Sequence, residues 1–256
     1  MQLDDKVALI TGASDGIGQS VAIRFATQGA RVLVHGRDPD RTEAVARSVN
    51  GTAVVADLAT PQGRRHLITE AERQFGRIDV LVNNAGIGWS GPFTRMTVDE
   101  IRRVIEVDLL AAVELTHAVL PGMLDRRRGA ICFVSSVAGR TGVAGEAVYS
   151  ATKAGLDTFA ESLRFEAEGT GVHVGVVVPG VVNTGFFEKR GRPNERARPK
   201  PVAPEAVADS VLKAVTGRAE VWVPRWLRVA STIRAVTPSA YRRLAARFGE
   251  PIRLGR

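Results

Sequence analysis

The regular alternation of short apolar runs with longer amphipathic stretches is the feature that most constrains the fold of this chain. Runs that are apolar at nearly every position are typical of parallel strands covered by helices on both faces, and apolar residues at helical spacing separate these runs. The pattern predicts one α/β domain with a doubly wound parallel sheet. The predicted strands are 7–11, 31–35, 53–56, 78–83, 130–134, 172–178 and 219–223, and the predicted helices are about 18–28, 39–49, 61–75, 97–122, 147–168 and 203–215.

The positive charge of the chain is concentrated at one end. The 256 residues carry a formal net charge of +8, and residues 221–256 contain eight arginines and one acid, Glu250. That segment therefore carries +7, and residues 1–220 carry only +1. A nucleic-acid partner is not expected, because the basic excess is not spread over a recognition face.

Cysteine and histidine usage limits the compartment and the chemistry. The single cysteine, Cys132, cannot form an internal disulfide, and the N-terminus lacks the pattern of a signal or transit peptide. A cytoplasmic location is therefore expected. The four histidines show no paired spacing with carboxylates or with the cysteine, so no metal site is expected.

A glycine-rich segment follows the first predicted strand and opens the first helix. Gly12, Gly16 and Gly18 have the spacing G-x-x-x-G-x-G. Glycines at a strand-to-helix turn let the backbone approach a pyrophosphate, whose charge the helix N-terminus stabilises. This segment predicts a dinucleotide site.

Four motifs, in their order and spacing, resemble those of the short-chain dehydrogenase/reductase family. They span residues 7 to about 184, some two-thirds of the chain. The resemblance implies a Rossmann-type fold and reversible hydride transfer between a nicotinamide cofactor and an alcohol or a carbonyl compound. The motifs are the glycine turn after Thr11, Asn83-Asn-Ala-Gly86, Ser136 followed by Tyr149-x-x-x-Lys153, and Pro179-Gly-x-x-x-Thr184.

Tyr149 and Lys153 share one face of a predicted helix, being four residues apart. A phenol needs its pKa lowered by about 3 units, or about 4 kcal/mol, to act as an acid–base catalyst near pH 7. One cation about 4 Å away, at an effective dielectric constant of about 20, contributes about 4 kcal/mol. Lys153 is therefore expected to lower the pKa of Tyr149. The resemblance implies that Lys153 also binds ribose and that Ser136 orients the substrate oxygen.

Asp108 stands where the family usually has an asparagine that kinks the fourth helix and holds a water leading to the lysine. The match is Val107-Asp108-Leu109. A carboxylate can also accept a hydrogen bond from water, so Asp108 is a candidate fourth catalytic residue. An ionised Asp108 near Lys153 would instead make ionisation of Tyr149 harder.

The resemblance also implies a set of cofactor contacts. Asp57 and Leu58 would hold the adenine, Asn83 would lie beside the adenosine ribose, and Val182 and Thr184 would engage the nicotinamide carboxamide, with core packing as the alternative for Val182. The full predicted set is Gly12, Ser14, Asp15, Gly16, Ile17, Gly18, Arg37, Asp57, Leu58, Asn83, Ala85, Gly86, Tyr149, Lys153, Pro179, Gly180, Val182 and Thr184.

The end of the second predicted strand bears on the choice of cofactor. NAD-dependent proteins carry an acid there, which accepts hydrogen bonds from the ribose 2′-hydroxyl. This chain has Gly36 at that position, followed by Arg37, whose planar fork of donors suits a 2′-phosphate. NADP(H) is favoured, with Arg41 as a second cation, although Asp15 and Asp38 place negative charge nearby.

The segment 185–202 resembles the mobile substrate loop of the family. Phe186 and Phe187, with Trp89, predict an apolar substrate wall, for which ordinary packing is the alternative. The C-terminal sequence resembles that of members acting on lipophilic alcohols and ketones. The alternatives are a 3-oxoacyl thioester reductase and a non-catalytic NAD(P)-binding sensor of the same fold. A homodimer or homotetramer is expected.

Residues 225–256 form a basic extension to the predicted catalytic domain, 1–224. Trp226, Val229, Ile233 and Val236 recur at helical spacing among arginines, and a similar pattern resumes after Pro238. Such helices can lie in a membrane interface with their arginines near anionic headgroups, so peripheral membrane contact through this extension is one hypothesis. Packing on the domain or on a sister subunit is the other.

Overall fold

A seven-stranded parallel sheet forms the centre of the protein, as described by a computed structural model for residues 2–190 and 200–246. Its strands are β1 (Val7–Ile10), β2 (Arg31–Gly36), β3 (Thr52–Val55), β4 (Val80–Asn83), β5 (Gly129–Val134), β6 (Val172–Pro179) and β7 (Glu220–Val223). They are arranged in the order β3-β2-β1-β4-β5-β6-β7. This confirms the doubly wound α/β fold.

Helices connect the strands and cover both faces of the sheet. Each strand-to-strand connection is long enough to return the chain to the same edge, as parallel pairing requires. The helices are α1 (Gly16–Ala26), α2 (Pro39–Ser48), α3 (Pro61–Phe75), α4 (Val98–Ile105), α5 (Ala111–Asp125), α6 (Val137–Thr141), α7 (Ala147–Glu166), α8 (Phe186–Lys189), α9 (Pro204–Val215), α10 (Leu227–Val236) and α11 (Pro238–Ala246).

The core consists of two apolar layers, one on each face of the sheet. Successive strand residues point to opposite faces, so Leu9 of β1 belongs to one layer and Ile10 to the other. Leu156 of α7 packs in the first layer, and Phe25 of α1 and Val207 of α9 pack in the second. Strands buried on both faces explain why their sequences are apolar throughout.

The connections reverse direction between β1 and β4, which are neighbours in the sheet. The chain leaves β1 toward β2 and β3 on one side, and it returns to build β4 to β7 on the other. Ile10 pairs with both Val34 and Val82, so the carboxyl ends of these strands lie level. Crevices at such a reversal are where open α/β sheets bind ligands.

The helix predicted over 97–122 is interrupted in the structure. A π-helical turn, Glu106–Leu110, separates α4 from α5, and such turns are often found at functional sites. The whole segment Val98–Asp125 has the length and apolar composition of a membrane-crossing helix. Here, however, Leu115 and Met123 of α5 are packed in the core beside the sheet.

Two short helices occupy segments that the sequence predicts as loops. Helix α6 is capped at its N-terminus by Ser136, whose hydroxyl accepts a hydrogen bond from the Ala138 amide at 3.1 Å. Helix α8 lies at the start of the predicted substrate loop. Residues 191–199 of that loop lie outside the described residues.

The start of the C-terminal extension packs on the domain. Leu227 is buried in the core, Arg234 donates a hydrogen bond to the Arg140 carbonyl, and the Tyr241 hydroxyl donates to the Thr141 carbonyl at 3.1 Å. The opposite side of α10 leaves Val229 57% and Val236 74% exposed. Phe248 of the predicted tail lies outside the described residues.

Candidate active site

The glycine turn lies at the carboxyl end of β1 and passes very close to neighbouring backbone. Gly12 and Gly16 have positive φ angles of 63° and 56°, which favour glycine. A Cβ atom on Gly12 would lie 2.8 Å from the Cα of Ala85, and one on Gly18 would lie 2.3 Å from the Gly12 carbonyl oxygen. Larger residues would therefore displace the turn.

Two residues outside the predicted cofactor set hold this turn in place. Buried His35 of β2 accepts a hydrogen bond from the Gly12 amide at Nδ1, at 3.2 Å, so its proton lies on Nε2, 3.1 Å from the Ala56 carbonyl. Burial lowers the pKa of His35 to about 4, which keeps the ring neutral. Asn84 donates from Nδ2 to the carbonyls of Thr11 and Gly12 at 2.8 and 3.1 Å.

The N-terminus of α1 has no side-chain cap within the part of the chain that the structure describes. Asp15 occupies the capping position without accepting a capping bond, so the first-turn amides point toward the cleft without a side-chain acceptor. The Asp15 carboxylate instead accepts a hydrogen bond from Lys189 at 2.5 Å and lies 3.6 Å from Arg41. The Lys189 hydrogen bond holds the pKa of Asp15 below its usual value. An uncapped helix N-terminus beside a glycine turn fits a pyrophosphate.

The end of β2 has no room for an acidic side chain. A Cβ on Gly36 would lie 2.3 Å from the Thr42 hydroxyl and 2.8 Å from the Ser14 side chain. Arg37, next in sequence, lines the same part of the cleft. Ser14 and Arg37 therefore lie near the expected position of the ribose, and the end of β2 carries no carboxylate there.

Asp57 lines the cleft beyond the end of β3, and its carboxylate is partly engaged. Its Oδ1 accepts from the Ala59 amide at 3.0 Å, and its Oδ2 pairs with Arg103 at 3.2 Å. Partial burial opposes ionisation, but these two partners hold the pKa of Asp57 below its usual value. The neighbouring Leu58 also lines the cleft.

A cleft of about 620 Å³ at the carboxyl ends of the strands brings most of the predicted residues together. It runs from the glycine turn to the N-terminal part of α7. The predicted residues that line it are Gly12, Ser14, Asp15, Gly16, Ile17, Arg37, Asp57, Leu58, Ala85, Gly86, Ser136, Tyr149, Lys153, Pro179, Gly180, Val182 and Thr184.

Three predicted site residues lie outside the cleft lining. Gly18 packs against the Gly12 carbonyl within the turn. Asn83 was expected beside the ribose, but its Nδ2 donates into the core to the Thr116 hydroxyl at 3.1 Å, because Asn83 is the last residue of a strand buried on both faces. Its neighbour Asn84 lines the cleft instead. Asp108 is the third, buried behind Lys153.

Ser136, Tyr149 and Lys153 meet at the far end of the cleft. Ser136 ends the loop after β5, and the other two residues project from the first two turns of α7. The Lys153 ammonium lies 5.7 Å from the centre of the Tyr149 ring and donates to the Val134 carbonyl at 3.2 Å. Helical spacing predicted that Tyr149 and Lys153 share a face, and the structure confirms it.

The pKa of Tyr149 is raised, in contrast to the sequence prediction. Burial of the phenol is the main cause, and the negative charge of Asp108 adds to it, as the sequence analysis expected of an ionised aspartate. A hydrogen bond with Ser136 acts in the opposite direction. The prediction that Lys153 lowers this pKa left out the burial of the phenol, which is the largest cause of the rise.

Asp108 sits in the π-helical turn and is fully buried behind Lys153. Its Oδ1 accepts from the Ile87 amide at 2.8 Å, and its Oδ2 lies 3.8 Å from the Lys153 ammonium. Oδ2 has no hydrogen-bond partner among the described residues. Burial raises the pKa of Asp108 to about 6, although the charge of Lys153 opposes the rise.

Helix α8 covers the cleft next to Tyr149. The Phe186 ring lies 5.6 Å from the Tyr149 ring and 5.8 Å from Phe187, centre to centre. Lys189 fastens the end of this helix to Asp15 across the glycine turn. Phe186 of the predicted substrate wall therefore lies beside the tyrosine and Phe187 packs against Phe186, whereas Trp89 is not among the residues that line the cleft.

A doubly wound parallel sheet with this glycine turn and this Ser–Tyr–Lys group is typical of oxidoreductases that use a nicotinamide nucleotide. The family model for short chain dehydrogenases matches residues 6–195. The chain belongs to the short-chain dehydrogenase/reductase family and is an oxidoreductase. The family match does not extend into the basic C-terminal segment.

Relatives and solved structures are similar over most of the chain. An uncharacterized oxidoreductase of Myxococcus xanthus is 34% identical over 96% of this chain and 98% of its own length. The 3-oxoacyl-(acyl-carrier-protein) reductase of Escherichia coli is 36% identical over 72% of this chain and 76% of its own. A short-chain dehydrogenase from Sphingobium yanoikuyae, solved in complex with NADPH, has a TM-score of 0.81 at 27% identity and covers 98% of both chains.

Proposed function

We propose that this protein is an NADP(H)-dependent oxidoreductase that interconverts an alcohol and a ketone or aldehyde. One observation carries the proposal: a single cleft joins an uncapped helix N-terminus and glycine turn to Ser136 and Tyr149. The first end suits a dinucleotide pyrophosphate, and the second suits a carbonyl oxygen.

The residues along the cleft would hold the cofactor in an extended position. The glycine turn and the α1 amides would bind the pyrophosphate, Asp57 and Leu58 the adenine, Lys153 the nicotinamide ribose, and Val182 and Thr184 the carboxamide. When bound there, the cofactor supplies or accepts the hydride. A glycine at position 86 suits this role, because a Cβ there would lie 3.4 Å from the Lys153 ammonium and narrow the cleft.

Tyr149 is proposed as the proton donor in carbonyl reduction. Its raised pKa keeps the phenol protonated at neutral pH, which is the form that can donate to a developing alkoxide. The Ser136 hydroxyl would donate a hydrogen bond to the same oxygen, and its own oxygen is oriented by the Ala138 amide. Lys153 places a positive charge behind the phenol, where it would stabilise tyrosinate after proton transfer.

The preference for NADP(H) rests on the residues around the expected ribose 2′-position. Gly36 excludes an acid, Arg37 and Ser14 line this part of the cleft, and Lys189 and Arg41 offset the charge of Asp15. The NADPH complex of the Sphingobium yanoikuyae relative supports the same choice.

The substrate is proposed to be lipophilic. Phe186, Phe187, Ile87 and Val143 line the cleft near Tyr149 and give it an apolar wall. The similarity to the 3-oxoacyl reductase of Escherichia coli favours acyl compounds as one such class. A non-catalytic sensor is the weaker alternative, since it would not need a serine, tyrosine and lysine at one place.

We also propose a cytoplasmic homodimer or homotetramer with peripheral membrane contact. The exposed apolar side of α10 supports the membrane proposal, because Trp226 and Val229 lie there beside the exposed Arg225 and Arg228. Self-association through this same patch would bring these arginines together, which is unfavourable.

The most direct test is to incubate the purified protein with NADPH and a panel of ketones and aldehydes and to follow the loss of nicotinamide absorbance. Tyr149→Phe should lower kcat by about 10²- to 10⁴-fold, which is the usual contribution of a general acid, and should still bind NADPH. Tyr241→Phe is the matched control, because the only other tyrosine lies outside the cleft lining. Near-normal turnover by Tyr149→Phe would refute the mechanism.

A further inference from the structure

A buried ion pair crosses the substrate side of the cleft. The Arg190 Nη1 lies 2.5 Å from the Glu146 Oε1, and the two side chains are only 9% and 13% exposed. Glu146 immediately precedes α7, the helix that carries Tyr149, and Arg190 immediately follows α8. Both residues line the cleft, and their opposite charges act on the pKa of Tyr149 in opposite directions.

The Arg190 side chain is held firmly by apolar contacts. Its guanidinium carbon lies 4.4 Å from the centre of the Phe187 ring. Its methylene groups pack over Gly88, where a Cβ would lie 3.1 Å from the Cβ and Cδ of Arg190. These contacts direct the guanidinium into the cleft beside the apolar wall.

The guanidinium has unused hydrogen-bonding capacity. Its Nε is buried and has no hydrogen-bond partner among the described residues. A guanidinium has five N–H donors, and buried polar groups without partners are uncommon in folded proteins. Nε is too deeply buried to reach a substrate, but Nη2 also has no hydrogen bond with the described residues, and an acceptor oxygen on the substrate is the partner that a cleft-lining position would supply.

Glu146 limits the charge of that acceptor. It already neutralises Arg190, so a substrate carboxylate would lie close to a second buried carboxylate. Like charges in a poorly hydrated site repel strongly. A neutral acyl oxygen, as in an ester, thioester or amide, would accept the hydrogen bond without this repulsion.

We propose that Arg190 selects substrates that carry a neutral acyl oxygen in addition to the carbonyl reduced at Tyr149, and that Glu146 excludes the corresponding free acids. The inference rests on the proposed carbonyl reduction and names the substrate class of the same site. The preferred substrates are then oxo-acyl esters, thioesters or amides with an apolar chain.

The test compares kcat/KM for three compounds of equal chain length with NADPH: ethyl 3-oxohexanoate, a ketone lacking the ester group, and freshly prepared 3-oxohexanoic acid. The wild-type protein should prefer the ester at least tenfold over each of the others. Arg190→Met preserves the packing on Phe187 and Gly88 but removes the donors, so the ester-to-ketone ratio should fall to about one, mainly through KM. Arg95→Met, at an exposed arginine outside the cleft lining, is the matched control.

Glu146→Gln provides an independent measurement if Arg190→Met folds poorly. Glutamine can still accept a hydrogen bond from Arg190 but has no charge, so the acid-to-ester ratio should rise at least tenfold. Equal wild-type kcat/KM for ester and ketone, or an unchanged preference in Arg190→Met, would overturn the inference while leaving carbonyl reduction standing. If the wild-type protein reduces none of the compounds in this comparison or in the wider panel, the proposed function fails and this inference fails with it.

Discussion

Replacing Asp108 with asparagine should stabilise the protein in a pH-dependent way. The carboxylate is completely buried, and among the described residues its Oδ2 has only the Lys153 ammonium, 3.8 Å away, to offset the loss of hydration. Asparagine has nearly the same shape and can keep the hydrogen bond from the Ile87 amide through Oδ1. The substitution therefore removes a charge while preserving the local packing.

The magnitude follows from the pKa of Asp108, which burial raises from 3.8 to about 6. At about 1.4 kcal/mol per pKa unit, the ionised carboxylate lowers the free energy of unfolding by about 3 kcal/mol. The folded-state pKa lies above the unfolded-state value. Asp108 therefore does not lower the free energy of unfolding below pH 3.8, and it lowers it progressively as the pH rises from there through about 6. The stability gained by Asp108→Asn should thus be about half developed at pH 5 and complete by pH 8.

Urea denaturation of the two proteins between pH 5 and pH 8.5 measures this difference. Asp99→Asn is the matched control, because Asp99 lies on α4 with its side chain 94% exposed. It should change the free energy of unfolding by less than about 0.5 kcal/mol at every pH. A stability difference for Asp108→Asn that does not change with pH would show that Asp108 does not titrate as a buried carboxyl group.

The same variant should alter the pH profile of alcohol oxidation. The negative charge of Asp108 contributes to the raised pKa of Tyr149. Its removal makes tyrosinate easier to form, so the limb on which the rate rises as Tyr149 loses its proton should move to lower pH. An unmoved limb would mean that Tyr149 does not respond to the charge at position 108.

Other perturbations address the cofactor site and the C-terminal segment. Arg37→Ala should weaken NADPH binding by at least about tenfold and NADH binding little, as measured by calorimetry, since a charge-assisted phosphate contact is lost; equal losses would indicate a structural role. In the wild type, the free energy of unfolding should fall by up to about 3 kcal/mol as the pH drops from 6.5 to 4, because the folded-state pKa of His35, about 4, lies below the ordinary 6.5. His35→Asn should remove this loss. Identical pH dependence in wild type and His35→Asn, followed by urea denaturation, would contradict this. The protein should co-sediment with anionic but not neutral liposomes at low salt. The double variant Trp226→Ser and Val229→Ser should abolish this binding, since both side chains are more than half exposed. If the wild type does not bind anionic liposomes, the membrane proposal is refuted.

Local patterns in the sequence were sufficient to predict the sheet and the glycine turn. Each strand is a short run of residues buried on both faces, and hydrophobic periodicity reports this directly. Gly12 and Gly16 have positive φ angles, which favour glycine, so the presence of glycine at these positions was itself a local signal of the turn. The four-residue spacing of Tyr149 and Lys153 likewise fixed their common face on α7, because helix geometry depends only on neighbouring residues.

Contacts between distant parts of the chain were decided only by the tertiary structure. Arg190 and Glu146 are 44 residues apart, and His35 reaches Gly12 from 23 residues away. Asn83 turns into the core toward Thr116, and Tyr149 has a raised pKa rather than a lowered one, because Asp108 and burial act on it together. Electrostatic energies and hydrogen bonds depend on distances and on hydration in three dimensions. Spacing along the chain therefore identified Tyr149 and Asp108, but it did not identify the contacts of His35, Glu146 and Arg190.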